Sequence, residues 1–123
     1  GNFRSDGMIV ATPTGSTGYS LASGGPILDA EMRALIITPI CPFTLSNRPV
    51  VTGEKEIVLE VLEHQRTDIV LTVDGQVLYE LKENDKIVVE MSSKRLRLIH
   101  STKRNFTEVI REKLHWAGDM RNA

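Results

Sequence analysis

The chain has 123 residues, with 15 Lys and Arg against 16 Asp and Glu, for a formal net charge of −1. A balance this close gives no electrostatic footing for nucleic acid or an anionic membrane surface. No apolar run reaches membrane-spanning length, no signal peptide opens the chain, and the single Cys41 excludes an internal disulfide, so the cytoplasm is the expected compartment.

In chain order, Met8-Ile9-Val10-Ala11 reads as a buried strand. Arg4 and Asp6 stand at its start, and a period of two places both side chains on one face. An edge salt bridge of little worth would account for the pair equally well. Residues 12–27 then form a run packed with small hydroxyl residues and glycines around one aromatic, Tyr19. Such a run keeps Cβ atoms out of the way, so backbone N–H groups and hydroxyls can approach a ligand closely. Tyr19 adds a flat face for a base ring and a hydroxyl, the chemistry of nucleotide recognition. The same composition also makes a plain loop that a tyrosine pins to a core. Walker A is excluded because Ser16-Thr17, not Lys, follows Gly15, and no Gly-x-Gly-x-x-Gly opens a long helix.

Residues 17–22 predict a short turn of helix and residues 29–32 a turn. Ala34-Leu35-Ile36-Ile37 is apolar on both faces, which suits a central strand. Further strands follow from period-2 alternation. Residues 56–62 group Ile57, Leu59 and Val61, residues 68–73 group Ile69, Leu71 and Val73, and residues 76–81 group Val77, Tyr79 and Leu81. Residues 85–91 group Ile87, Val89 and Met91, and residues 94–99 pair Leu96 with Leu98. Asp74-Gly75 and Ser92-Ser93 suit tight hairpin connections. Phe106, Val109, Ile110 and Leu114 then follow helical spacing, with Asn105 as a cap. The expected fold is mainly β, an antiparallel β-sandwich with a short loop helix and a C-terminal helix, over residues 1–123 as a single domain. His64, His100 and His115 lack metal-ligand spacing, and no histidine lies in the hydroxyl-rich loop, so neither a metal site nor Ser-His-Asp catalysis is expected.

Four stretches, in order, resemble the signatures of NAD kinases. Residues 6–26 resemble the family's Asp-Gly-x-Ile-(Val/Ile)-(Ala/Ser)-Thr-Pro-Thr-Gly-Ser-Thr-Ala-Tyr-Ser run, which continues to Gly-Gly-Pro, with Gly18 in place of alanine. Residues 39–49 resemble Pro-x-x-Pro-His-Thr-Leu-Ser-x-Arg-Pro, with Phe43 in place of histidine. Val73-Asp74-Gly75-Gln76 and Arg111-Glu112-Lys113-Leu114 with Trp116 resemble its hairpin and terminal helix.

The resemblance implies the NAD-binding C-terminal domain of an enzyme that phosphorylates the 2′-hydroxyl of NAD's adenosine ribose. It implies substrate contacts from Arg4, Asp6, Thr17, Gly18, Tyr19, Ser20, Leu21, Ala22, Cys41 and Gln76, with Asp74 a further candidate. Thr17 and Ser20 would hydrogen-bond and Tyr19 would pack by the adenine. Cys41 suits either a pocket lining or a buried structural position. Phe43 either loses a hydrogen-bonding brace or packs in its place. The family's Gly-Gly-Asp-Gly motif, source of its proposed general base, is absent from these residues. No catalytic residue is therefore assigned here, and the chain reads as half an enzyme, inactive alone. In the full enzyme, Mg²⁺ or another divalent metal would act with ATP or polyphosphate, none of them bound by this chain alone. A homo-oligomer, dimer or tetramer, is implied, with no nucleic acid or membrane partner. Two rivals stand beside this reading. A lipid kinase of the same superfamily, acting on diacylglycerol or sphingoid bases, is disfavoured by Gly-Ser-Thr-x-Tyr. A non-catalytic sandwich serving only assembly would be indifferent to loss of the Thr17 and Tyr19 side chains.

Overall fold

A computed structural model describes residues 1–62, 68–97, 99 and 105–115. They fall into two compact units, Gly1–Gly53 with Ser93–Ala123, and Glu54–Ser92.

In the first unit, β1 (Gly7–Ala11), β2 (Leu35–Ile40) and β3 (Val50–Thr52) form an antiparallel sheet with β2 in the middle. Val10 faces Ile37 across the first pair, and Ile36 faces Val51 across the second. Ile36 is fully buried and clusters with Leu28 and Ala34. The apolar run at residues 34–37 is central, as its two-sided hydrophobicity requires. The strand also runs on through Thr38 and the fully buried Pro39.

Proline inside a sheet normally removes a ladder hydrogen bond. Here Ile40 O accepts from Asp6 N–H at 2.9 Å, so Ile40 faces β1. Strand alternation turns the Pro39 nitrogen to the opposite side. On that side β3 has already ended at the Val50–Ile37 pair. Pro39 therefore sits at a local sheet edge, where no donor is needed.

Helix α2 (Phe106–Lys113) opens with a capping box. The Asn105 side chain accepts from Glu108 N–H at 2.9 Å, and Glu108 accepts from Asn105 N–H at 3.0 Å. Of the stripe that the spacing predicts, Ile110 is buried, Val109 and Leu114 are half-buried and Phe106 is exposed. Just past the helix, His115 has φ 52°, the left-handed conformation that favours glycine at this position. Replacing His115 with glycine is expected to stabilise the fold by about 0.5–1 kcal/mol, read as a higher urea midpoint.

The second unit holds β4 (Ile57–Glu60), β5 (Ile69–Val73), β6 (Val77–Leu81) and β7 (Lys86–Val89). β4 pairs with β7, and β5 with β6, both antiparallel. Ile57 is buried, with Leu59, Ile87 and Val89 half-buried on the same face, whereas Val58 and Val88 form an exposed opposite pair. Glu60 and Lys86 meet across the ladder at 3.7 Å, an exposed ion pair of small energetic weight. Asp74 and Gly75 have φ 49° and 68°, and Gln76 N–H donates to Val73 O at 3.0 Å, closing the expected hairpin turn.

The expected mainly β, antiparallel class with a short loop helix and a C-terminal helix is borne out. Two local expectations are corrected. Residues 94–97 and Ile99 form no strand, and Leu96 is exposed, so Ser92-Ser93, with a bend at Ser93, is not a hairpin connection. Leu98 lies outside the described residues. The three-residue β3 is too short to show a period.

Candidate functional site

The hydroxyl-rich run leaves β1 at Ala11 and folds into a 3-10 turn, Thr14–Thr17, followed by α1 (Tyr19–Ala22). Its sequence of small residues now divides into two faces. One face is buried. Ser16 is fully inaccessible, donates to Pro13 O at 2.6 Å and accepts from Leu28 N–H at 3.1 Å. Ser20 is 1% exposed and shares a hydrogen bond of 2.9 Å with Thr38 Oγ1 on β2, itself fully buried. Gly25 lies against the same pair, and its N–H donates to Ser20 O at 2.7 Å. A β-carbon at Gly25 would stand 2.8 Å from both Ser20 O and Thr38 Oγ1 and closer still to Ser20 Oγ.

The other face is open. Thr17, Gly18 and Ala22 are exposed, Tyr19 is 64% exposed, and Leu21 is half-buried. Helical geometry accounts for this division, since successive residues turn by about 100°. With Ser20 aimed at the sheet, Tyr19 and Leu21 flank it and Ala22 comes around to the far side. Tyr19 therefore does not pin the loop to a core.

Ser20, expected to hydrogen-bond a ligand, is buried and its hydroxyl is held by Thr38. It therefore braces the loop from beneath.

Arg4, Asp6 and Cys41 meet at one end of the β1–β2 pair. Arg4 and Asp6 lie in the extension before β1, so strand periodicity does not set their faces; both are exposed. Asp6 N–H donates to Ile40 O and Phe43 N–H donates to Arg4 O, each at 2.9 Å, which carries the two segments past the strand ends together. The Arg4 guanidinium stands over the Phe43 ring, 5.4 Å from its centroid. Phe43 thus acts by packing, as a platform for Arg4. Cys41 is exposed with φ 44°, which overturns a buried structural role. Asp74 and Gln76 are exposed in the β5–β6 turn, within the second unit. In that unit, an open depression of about 470 Å³ is lined by Leu71, Tyr79, Leu81, Asp85, Lys86 and Ile87 among others, with none of the candidate residues in its wall. Among the described residues, no group of three or more His, Cys, Asp and Glu could hold a metal ion, and His64 and His100 lie outside them. No helix among the described residues is long and apolar enough to cross a membrane.

Sequence reasoning missed Ser16, Thr38 and Gly25 as the braces of this loop. Ser16 and Gly25 lie in the run already singled out, but one hydroxyl or glycine among many carries no mark of burial. Thr38 gave no signal at all.

Residues 1–101 match the model of the ATP-NAD kinase C-terminal domain family. The chain is 51% identical over 115 residues to an NAD kinase of Magnetococcus marinus, covering 93% of this chain and 38% of that protein. It is 45% identical over 114 residues to an NAD kinase of Geotalea daltonii, covering 93% of this chain and 40% of that protein. A crystal structure of yeast NADH kinase complexed with NADH superposes with a TM-score of 0.83 at 28% identity, covering 98% of this chain and 38% of that one. The chain thus spans about two fifths of the length of the curated relatives it matches.

Proposed function

This chain belongs to the NAD kinase family, as its C-terminal domain, and from that membership we propose that it supplies the NAD-binding part of an NAD kinase. In the reaction proposed, the 2′-oxygen of NAD's adenosine ribose attacks the terminal phosphorus of ATP or polyphosphate. The hydroxyl proton passes to a base, and ADP or a shortened polyphosphate departs. Such transfer depends above all on positioning and on neutralising the donor's charge. A divalent cation supplies that neutralisation when bound. The described residues offer no cluster fit to hold one, so neither the metal nor the general base is assigned to this chain. Its own residues bind and orient the acceptor.

One observation carries the reading: an exposed Thr17-Gly18-Tyr19 edge fixed on a buried hydroxyl-bonded base. The Tyr19 ring gives adenine a stacking face, and Thr17 gives the ribose a hydroxyl. Gly18 and Ala22 leave the backbone approachable, and Leu21 adds apolar contact. Arg4, Asp6 and Cys41 form a second group for the nicotinamide end, with the Asp6 carboxylate accepting from the amide. The family resemblance adds Gln76 of the β5–β6 turn as an NAD contact, from a neighbouring subunit or the sheet edge, with Asp74 a further candidate. In the same reading residues 1–123 act as one domain of a cytoplasmic homo-oligomer.

The protein as its gene encodes it is titrated calorimetrically with NAD and with NADH. It is then incubated with Mg²⁺ and either ATP or polyphosphate, and the dinucleotide product is analysed for a 2′-phosphate. Saturable binding with 2′-phosphorylated product supports the proposal, and no binding of either dinucleotide ends it. Within this reading Phe43→Ala frees Arg4 from its platform. An exposed cation–π contact is worth about 0.5–1 kcal/mol, so NAD affinity is expected to fall by at most two- to fivefold, with a stability loss no larger than about 1 kcal/mol.

A further inference from the structure

We infer that Thr38, a residue of the central strand with no part in the ligand contacts above, is a positioning residue for the exposed edge of the loop. The inference rests on the proposed function, because that edge matters only if it meets the dinucleotide.

Three observations support it. Thr38 is fully buried, pairs with Ile9 in the β1–β2 ladder and shares a 2.9 Å hydrogen bond with Ser20 Oγ. Ser20 directly follows Tyr19 in α1, so the bond that holds Ser20 against the sheet also sets the rotation of the helix. Rotation of a one-turn helix moves Tyr19 and Ala22 together. Finally, Gly25 packs so closely on the Ser20–Thr38 pair that a β-carbon there would stand 2.8 Å from Ser20 O and Thr38 Oγ1.

A β-branched side chain suits this task. Thr38 is stiff at χ1, and its oxygen is held by a strand whose own backbone is fixed by pairing. By contrast, α1 is a four-residue helix, far too short to hold itself. The Ser16 bonds tie the preceding 3-10 turn to Pro13 and Leu28, which lie outside the strands. The Thr38 hydroxyl therefore transmits the rigidity of the central strand to the loop.

The test compares Thr38→Val with Thr38→Ser in the protein as its gene encodes it. Valine keeps the volume and removes the hydroxyl, leaving the buried Ser20 oxygen without its partner. Serine keeps the hydroxyl. Hydrogen exchange is followed at the amides of Leu21, Ala22, Ser23, Gly24 and Gly25, all bonded within the loop, and NAD affinity is measured alongside. Ser20→Ala, which removes the other half of the pair, is read in the same way should Thr38→Val fail to fold.

Thr38→Val is expected to speed exchange at these amides about tenfold and weaken NAD binding about tenfold, with the β1–β2 amides unchanged. Thr38→Ser is expected to restore both. Unchanged loop exchange overturns the inference, as does faster exchange spread equally over the sheet, or a serine variant as impaired as valine. Failure of the parent protein to bind NAD removes the proposed function instead, while loop exchange still decides whether Thr38 positions the edge.

Discussion

Gly25→Ala is expected to cost the fold about 3 kcal/mol or more, the largest effect of a methyl added at any described glycine of the first unit. The β-carbon would stand 2.8 Å from Ser20 O and Thr38 Oγ1, and nearer still to Ser20 Oγ. None of these is the free end of a long side chain that could swing aside. Ser20 O belongs to the backbone of α1 and accepts the Gly25 N–H, and Thr38 is held in the central strand. The methyl must therefore lift α1 from the sheet or split the Ser20–Thr38 bond, leaving two buried hydroxyls unsatisfied. Overpacking and a lost buried hydrogen bond each cost about 1–3 kcal/mol, and here they act together. Gly53→Ala is the control, because no heavy atom lies within 4 Å of where its β-carbon would stand. Urea unfolding of both variants decides the matter. A Gly25→Ala loss below about 1 kcal/mol would mean that the loop is not seated on the hydroxyl pair as described.

That seat shows what sequence can and cannot disclose. β1, β2 and the β5–β6 hairpin were legible because their signals are local: an apolar run, a two-sided apolar run, and Asp74-Gly75 between alternating segments. Asn105 similarly announced the start of α2 as a cap residue ahead of helically spaced apolar positions. The errors arose where the outcome depends on a partner. Leu96 alternates with Arg95 and Arg97 as a strand should, yet a strand exists only when another chain segment supplies its ladder, and residues 94–97 form no strand. Pro39 lies inside β2, where the ending of β3 one side away makes its missing N–H harmless. Thr17 and Ser20 look alike as members of one hydroxyl-rich motif. Only the direction in which α1 faces the sheet makes the first an exposed group and the second a buried brace. The resemblance located the motif, and packing divides the labour within it.

Tyr19→Ala is expected to weaken NAD binding at least about tenfold while leaving stability within about 0.5 kcal/mol of the parent. The two halves of this prediction come from separate observations. Tyr19 is 64% exposed, so removing its ring takes little apolar contact from the folded state. Its backbone O accepts from Ser23 N–H at 3.0 Å, a bond that alanine preserves, and alanine suits a helix at least as well as tyrosine does. A base stacked on an aromatic ring is worth about 1–3 kcal/mol by alanine substitution, so the tenfold loss stands near the lower part of that range. Tyr19→Phe separates ring from hydroxyl: full retention of affinity assigns the contact to stacking, and a loss matching alanine's assigns it to the phenol oxygen. An alanine variant that binds NAD as tightly as the parent would take Tyr19 out of the site. A variant that loses stability together with affinity would return Tyr19 to the role of a loop anchor, against its exposure. The exposed aromatic of this motif is thus the residue on which the reading of the whole edge turns.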